Sequence, residues 1–380
     1  MTTKRTRLIL LTVCIGTLFL FFLEKSFLPG ISSGNQTHKS FDLLRTVVQL
    51  IKNDYVEERN PSETMEGAFK GMVNSLDVLS AYLNKDSLTQ YSQQRDSKWK
   101  EIGVILFKRY GLFPQVIGIA ENSPAEKKGI KIGDYLSALD NRSTLMMSLV
   151  ETNLYLRGQE EKPIKIKILR ENTTLELTVE RKSIIDEPFS FSPEKGTSGI
   201  LKIHSLYPPG TSDFKKKLLF KLKSQTAPLI IDLRSCSEGD LQEAPKLVNF
   251  FLKADSIGYF EKKEGTKDLV LCKEKAELSS LPLIIWVNQA TLGPAELVAG
   301  VLQDFKKAKI IGVPTLGVVA KQELFPLKDG SALLLSTGVF ALNSGRKLWG
   351  QGIKPDVKLE LEDQSFSTYR KKTFDLISTK

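Results

Sequence analysis

The sequence predicts an α/β fold: a core with a largely parallel sheet, a module of short strands before it, and a helical segment at the N-terminal side. Three observations carry this. Between residues 190 and 361, apolar-rich runs of strand length ("GILKIHSL", "APLIIDLR", "LPLIIWVNQ", "AKIIGV") alternate with helical patterns at 212–222, 241–252 and 294–305. Strands that alternate with helices build parallel sheets. From 101 the pattern changes to short strands, alternating with period two over 162–170 and 174–182, and between 41 and 76 it is helical.

The chain starts with Lys4, Arg5 and Arg7, then an uncharged apolar run over 8–23 with no small-x-small cleavage site after it. This predicts an uncleaved signal anchor over 1–28. Positive charge on the N-terminal side predicts a single-pass inner (cytoplasmic) membrane protein with its body in the periplasm or extracytoplasmic space. The Gly/Ser/Asn stretch that follows predicts a linker over 29–40. Leu43, Leu44, Val47, Val48, Leu50 and Ile51 then recur with helical spacing, and a second helix is expected over 62–76. These make an N-terminal helical segment, 41–95.

The next module spans 96–183. "EIGVILF" and "PQVIGIA" predict paired strands, and "SPAEKKG" predicts a short helix capped by Ser123 and stopped at Gly129. A helix is expected over 148–157. "KPIKIKILR" and "TLELTVERK" alternate as a half-buried hairpin does. That order of strands and two helices implies a PDZ-like module. The α/β core is expected over 184–362 and a tail over 363–380.

Within the core, "NQATLGPAELVAG" reads as a strand end turning sharply into a helix. Such a turn is where hydrolases place a nucleophile, with helix-terminal amides free for an oxyanion. Here Gly293 occupies the tip, with no Ser or Cys beside it.

Composition excludes other classes. The net charge of +10, from 54 basic and 44 acidic residues, is scattered, without basic clusters interleaved with aromatics, so nucleic acid is not an expected partner. No metal-ligand spacing or phosphate loop is present, so no cofactor or metal is expected. Cys14 falls in the predicted anchor, and Cys236 and Cys272 read as unpaired thiols with a disulfide as the alternative.

The three regions in this order resemble the tail-specific (C-terminal processing) serine peptidases. The likeness covers about 41–361 and rests on "GAFKGMVNSLDVLSAYL", "SPAEKKGIKIGDYLSALDN", "LIIDLRSCSEGDLQEA", "VLQD", "IIGVPTLG", "FPLKDGSALLLSTG" and "SGRKLWGQGIKPD". The resemblance implies a crotonase/Clp-like α/β peptidase core with an inserted PDZ domain, and a Ser/Lys dyad in which a desolvated lysine takes the serine proton.

This chain departs from that pattern. In the family's Asn-x-x-Ser-Ala-Ser-Ala-Ser-Glu segment, here 288–296, the nucleophile position is Gly293. In Gly-x-x-Thr-x-Gly-Lys-Gly, here 312–319, the lysine position is Val318. The first glycine of the oxyanion loop is Glu238 and the second is Gly239. Asp304, another polar residue the family retains, is present. The resemblance also implies that the amides of Ile102, Gly103, Val104 and Ile105 hold a peptide terminus.

The expectation is therefore a catalytically inactive homologue that binds protein C-termini, unfolded polypeptides or a peptidase partner, with a homo-oligomer as a further option. The alternatives are an active endopeptidase with a rearranged site and a scaffold with a closed PDZ groove. For a rearranged site the candidates are Lys321 as base, Cys236 with His204, and Thr291.

Overall fold

The computed structural model describes residues 29–378, apart from 59, 95–98, 185–186 and 274. It divides into two units, 1–68 and 69–380. In the first, helix Pro29–Asp54 runs through the stretch expected to be a linker. No proline interrupts 30–54, and each internal Gly or Asn costs a helix only about 1 kcal/mol or less. A second helix, Pro61–Asn74, starts in this unit and ends in the next.

The expected membrane placement is corrected here. Among the described residues no helix is long and apolar enough to cross a membrane. Helix Pro29–Asp54 has the length, about 39 Å at 1.5 Å per residue. It carries Lys39, Asp42, Arg45, Lys52 and Asp54, and a hydrocarbon layer does not take that charge. The anchor expected over 1–28 lies outside the described residues.

The second unit holds three sheets. The PDZ-like sheet is antiparallel, in the order Val104–Phe107, Gln115–Ile119, Tyr135–Leu139, Ile164–Arg170, Thr173–Val179. Strand Val104–Phe107 is therefore an edge. Ile164, Ile166 and Ile168 point inward at period two onto Ile102, Leu106 and Leu136. Helix Leu149–Leu156 opens with a capping box between Ser148 and Glu151, a feature that fixes its start.

The core sheet runs Val357–Lys358, Ala308–Gly312, Leu283–Val287, Leu229–Asp232, Ile200–Ile203, Phe189–Ser192. All its pairings are parallel except the last. Central strands Leu229–Asp232 and Leu283–Val287 are buried throughout, because both faces are covered. Ile231 and Ile285 face one apolar cluster; Ile230, Ile284 and Trp286 face the other.

That second face is covered by helix Phe366–Ser378, where a tail was expected. Trp286 Nε1 donates to Thr373 Oγ1 at 2.8 Å, and the Tyr369 hydroxyl donates to the Val287 carbonyl at 2.7 Å. The helix seats because Tyr369 and Thr373 are the residues it buries completely.

The third sheet, antiparallel, is not foreshadowed by the strand/helix alternation. Strands Ala81–Leu83, Ala332–Leu342, Ala254–Lys262 and Lys267–Cys272 lie in that order, and Ala320–Pro326 also pairs with Ala332–Leu342. Leu83 pairs with Ala332, so the N-terminal segment contributes a strand to the far end of the chain.

Beside the PDZ-like sheet, Lys108 is buried, and its Nζ donates to the Leu145 carbonyl at 2.8 Å and to the Thr144 carbonyl. Burial pushes its pKa down to about 8, with Glu151 opposing. The unfolded chain keeps an ordinary lysine value near ~10.4. Between these values the unfolded state binds more protons, so stability should rise with pH; below about 8 the penalty is fully present. Urea unfolding at pH 7 to 10 should show a rise in wild type that Lys108→Met reduces. Identical slopes in the two proteins would remove Lys108 as its source.

Candidate active site

Strand Leu283–Val287 ends at Asn288, the chain turns, and helix Pro294–Asp304 begins. Asn288 Oδ1 accepts the amides of Ser235 (2.9 Å) and Ala290 (3.1 Å), which ties the turn to the loop after strand Leu229–Asp232. Gly293 sits at the helix start with φ 55° and ψ −117°. A side chain there would be strained by roughly 1–3 kcal/mol; glycine is not. Space is not limiting: a Cβ on Gly293 would meet only the Val318 carbonyl oxygen, at 3.7 Å. The turn has the shape of a nucleophile elbow and no nucleophile.

Glu296, one turn into the helix, is fully buried. Its carboxylate accepts the amides of Gly317 (2.6 Å), Val318 (2.7 Å) and Gly293 (3.2 Å), and the Thr315 hydroxyl. Burial raises its pKa, and these bonds counter only part of that rise. One side chain thus holds the 315–318 segment, with Val318, against the turn with Gly293. Val318 is buried among Ile117, Ala290 and Leu292, with Ile105 and Phe107 packed on the same cluster. An apolar seat of that kind is what a desolvated amine would occupy.

One cavity of about 220 Å³ joins these parts. Gly293, Val318, Glu238 and Gly239 line it from the core. Ile102, Gly103, Val104 and Ile105 line it from the PDZ-like module, with Leu149 and Leu156 of the facing helix. Gly103 has φ +87°, and a Cβ there would fall 2.3 Å from Ser123 Cβ, so only glycine makes this turn. Its loop leads into the free edge of strand Val104–Phe107, opposite helix Leu149–Leu156.

Glu238 does not point freely into the cavity. Its Oε1 accepts from Arg157 at 2.6 Å and its Oε2 from the Tyr207 hydroxyl at 2.9 Å. Arg157 also reaches Glu101 Oε2 at 3.4 Å. Burial works against the Arg157 charge, yet the carboxylates of Glu238 and Glu101 hold its pKa above the usual arginine value. Glu101 is pushed upward, by its burial first and against the pull of Arg157.

The other candidates lie elsewhere. Asp304 accepts from the amide (3.1 Å) and hydroxyl (2.6 Å) of Ser344 and shapes that turn. Thr291 is buried, donating to the Leu233 carbonyl at 2.8 Å and accepting the Asn288 amide at 3.0 Å. Lys321 points away from the cavity that Ala320 and Gln322 line, toward Asp268 and Glu323. The Cys236 thiol is fully buried and pushed up to about 12 by that burial and by Glu238, so it holds no useful thiolate. His204 contacts Ser190 Oγ at 3.0 Å. Cys236 and Cys272 are both buried and form no disulfide.

Arg157 and Tyr207 have no signal as site residues in the sequence, because each acts through a partner distant in sequence, whereas Asn288 is the first residue of the 288–296 motif. Glu296 had a visible signal: an acidic residue three positions into a predicted helix, where it caps the first turn.

Comparison with known proteins agrees with this layout. Residues 197–359 match the peptidase family S41, 93–180 match a PDZ domain, and 25–87 match the activating protease CtpB N-terminal domain. The carboxy-terminal processing protease CtpA of Bacillus subtilis (strain 168) is 26% identical over 366 residues, covering 95% of this chain and 78% of the relative. A probable CtpA-like serine protease of Staphylococcus aureus (strain MRSA252) is 25% identical over 355 residues, covering 93% and 71%. In fold, the chain is similar to the photosystem II D1 C-terminal processing protease, with a TM-score of 0.70 at 21% identity over 84% of this chain and 86% of that one. By its modules, their order and these matches, the chain is similar throughout to the tail-specific, C-terminal processing peptidases: its core matches peptidase family S41, and regions matching a PDZ domain and the CtpB N-terminal domain precede it.

Proposed function

We propose that this family member binds protein C-termini and does not cut them. The observation that carries the reading is the pair Gly293 and Val318. They lie in one cavity, on an elbow and a loop still joined by Glu296, and neither side chain has a nucleophilic or basic atom. Without a nucleophile there is no acyl-enzyme, and without a base a serine would stay protonated. Lys321, Thr291 and Cys236 are each turned away, buried in hydrogen bonds or held as a thiol, which weighs against a rearranged enzyme.

Binding falls to the PDZ groove. A peptide would add as a strand to the edge Val104–Phe107, its terminal carboxylate on the amides of the Ile102–Gly103 turn and its side chains against Leu149 and Leu156. A second reading, the closed scaffold, draws on the packing of Ile105, Phe107 and Ile117 against Ala290, Leu292 and Val318, which seats the PDZ module on the elbow.

Purified protein should leave unfolded casein intact over hours. It should bind labelled peptides with a free terminal carboxylate at least ~10-fold tighter than their amidated forms, the scale of one charge-assisted hydrogen bond or more. Hydrolysis abolished by Thr291→Val or Cys236→Ala would establish the rearranged enzyme. Absence of any peptide binding would establish the closed scaffold.

A further inference from the structure

Glu238 brings a carboxylate to the place where the chain's own groove is built to receive one. It lines the same cavity as Ile102 and Gly103, and Arg157 borders that cavity at the C-terminal end of the groove helix Leu149–Leu156. Among the described residues, the Ile102 and Gly103 amides donate to no protein acceptor, while their carbonyls take the amides of Ala125 and Ala120. Two open amides beside an arginine are a recognition set for a carboxylate.

The arginine of that set is engaged. Arg157 already faces two carboxylates, Glu101 and Glu238. Glu101 is fixed to the PDZ module through its backbone, which exchanges hydrogen bonds of 2.9 Å with Lys182. Glu238 comes from the core, 81 positions away, on the loop after strand Leu229–Asp232. A third carboxylate arriving beside this pair would be repelled unless one leaves. Glu238 comes from the other module, whereas Glu101 is tied to the backbone of this one, so the Glu238 contact is the one a ligand can displace without breaking the PDZ-like module.

We infer that Glu238 is an internal stand-in for the ligand's terminal carboxylate, paired with Arg157 in the free protein and displaced from it when a peptide C-terminus binds. The inference rests on the peptide-binding reading above. It makes Arg157 the counter-ion of the ligand, and it makes the Glu238–Arg157 contact a brake on affinity, because binding must first break a charge-assisted hydrogen bond. The Tyr207 hydroxyl strengthens the brake by holding the second carboxylate oxygen.

The test uses the full chain and a fluorescein-labelled decapeptide ending in Leu-Ala-Val, with a free or an amidated terminus, read by anisotropy. Glu238→Gln keeps the shape of the side chain and removes its charge. It should bind the free-carboxylate peptide about tenfold tighter than wild type, the scale of one charge-assisted contact, and the amidated peptide no tighter. Tyr207→Phe should give a gain of the same kind but smaller, about two- to threefold, because it removes one hydroxyl donor from the carboxylate and leaves the Arg157 contact in place. Equal affinity in wild type and both variants would overturn the inference and leave peptide binding standing. An equal gain for the amidated peptide would also overturn it, as a general opening of the groove. If neither form binds wild type or Glu238→Gln, the peptide-binding reading falls and takes the inference with it.

Discussion

A chain carrying Gly293→Ser, Val318→Lys and Glu238→Gly together should hydrolyse unfolded protein, and wild type should not. The geometry leaves room for it. A Cβ at Gly293 meets only the Val318 carbonyl oxygen, at 3.7 Å, and the Val318 side chain lies in an apolar cluster at the same cavity. A lysine there would be desolvated, which lowers its pKa and lets it accept the serine proton. Each substitution alone should be inert, since serine and lysine act as a unit. Glu238→Gly removes a carboxylate from the loop that the resemblance makes the oxyanion loop, where a single good donor is worth about a hundredfold or more. The triple variant should therefore exceed the Gly293→Ser/Val318→Lys double by about that factor. Two costs work against it: roughly 1–3 kcal/mol of strain for serine at the Gly293 backbone angles, and several kcal/mol for the buried amine. Casein hydrolysis is to be read together with circular dichroism and thermal melts. A folded triple variant with no activity would show that the elbow and the Val318 loop are not in dyad register.

Glu296→Ala should be the most destabilising single substitution at this site. It would strand three buried amides, of Gly293, Gly317 and Val318, and the Thr315 hydroxyl. Each buried donor left unpaired costs about 1–3 kcal/mol, so a loss of about 3 kcal/mol or more is expected even if water reaches some of them. Glu296→Gln should lose less, because its one carbonyl still accepts and burial already penalises the charged form of Glu296. Denaturant midpoints for the two variants measure this directly. A change below about 1 kcal/mol for Glu296→Ala would mean that the 315–318 loop does not depend on the carboxylate.

The sequence by itself determined the order of the modules and showed which residues, Gly293 and Val318, stand where the family resemblance expects a dyad. Both are local facts. Strands such as Leu283–Val287 and Ile164–Arg170 announce themselves by runs or alternation of apolar residues, and Gly293 and Val318 each sit inside a short segment that stays in register along the chain. Lys321 lies on strand Ala320–Pro326 and turns toward Asp268 and Glu323, whereas Val318 precedes that strand and is buried at the cavity. Local signals misled where composition was ambiguous. Gly, Ser and Asn in 29–40 read as a linker and are helical, and the charged end of the chain read as a tail and is a helix held by Tyr369 and Thr373. Only the tertiary structure decided what the site is made of. Ala81–Leu83 joins a sheet about 250 residues downstream, Arg157 meets Glu238, Tyr207 meets the same carboxylate, and the PDZ groove opens into the cavity of the elbow. All of these pairings join segments distant in sequence, and apart from Tyr207 with Glu238 they join different modules. Periodicity records which face of an element is buried, but not which distant side chain it is buried against, so a salt bridge across two modules has no signature in either stretch of sequence.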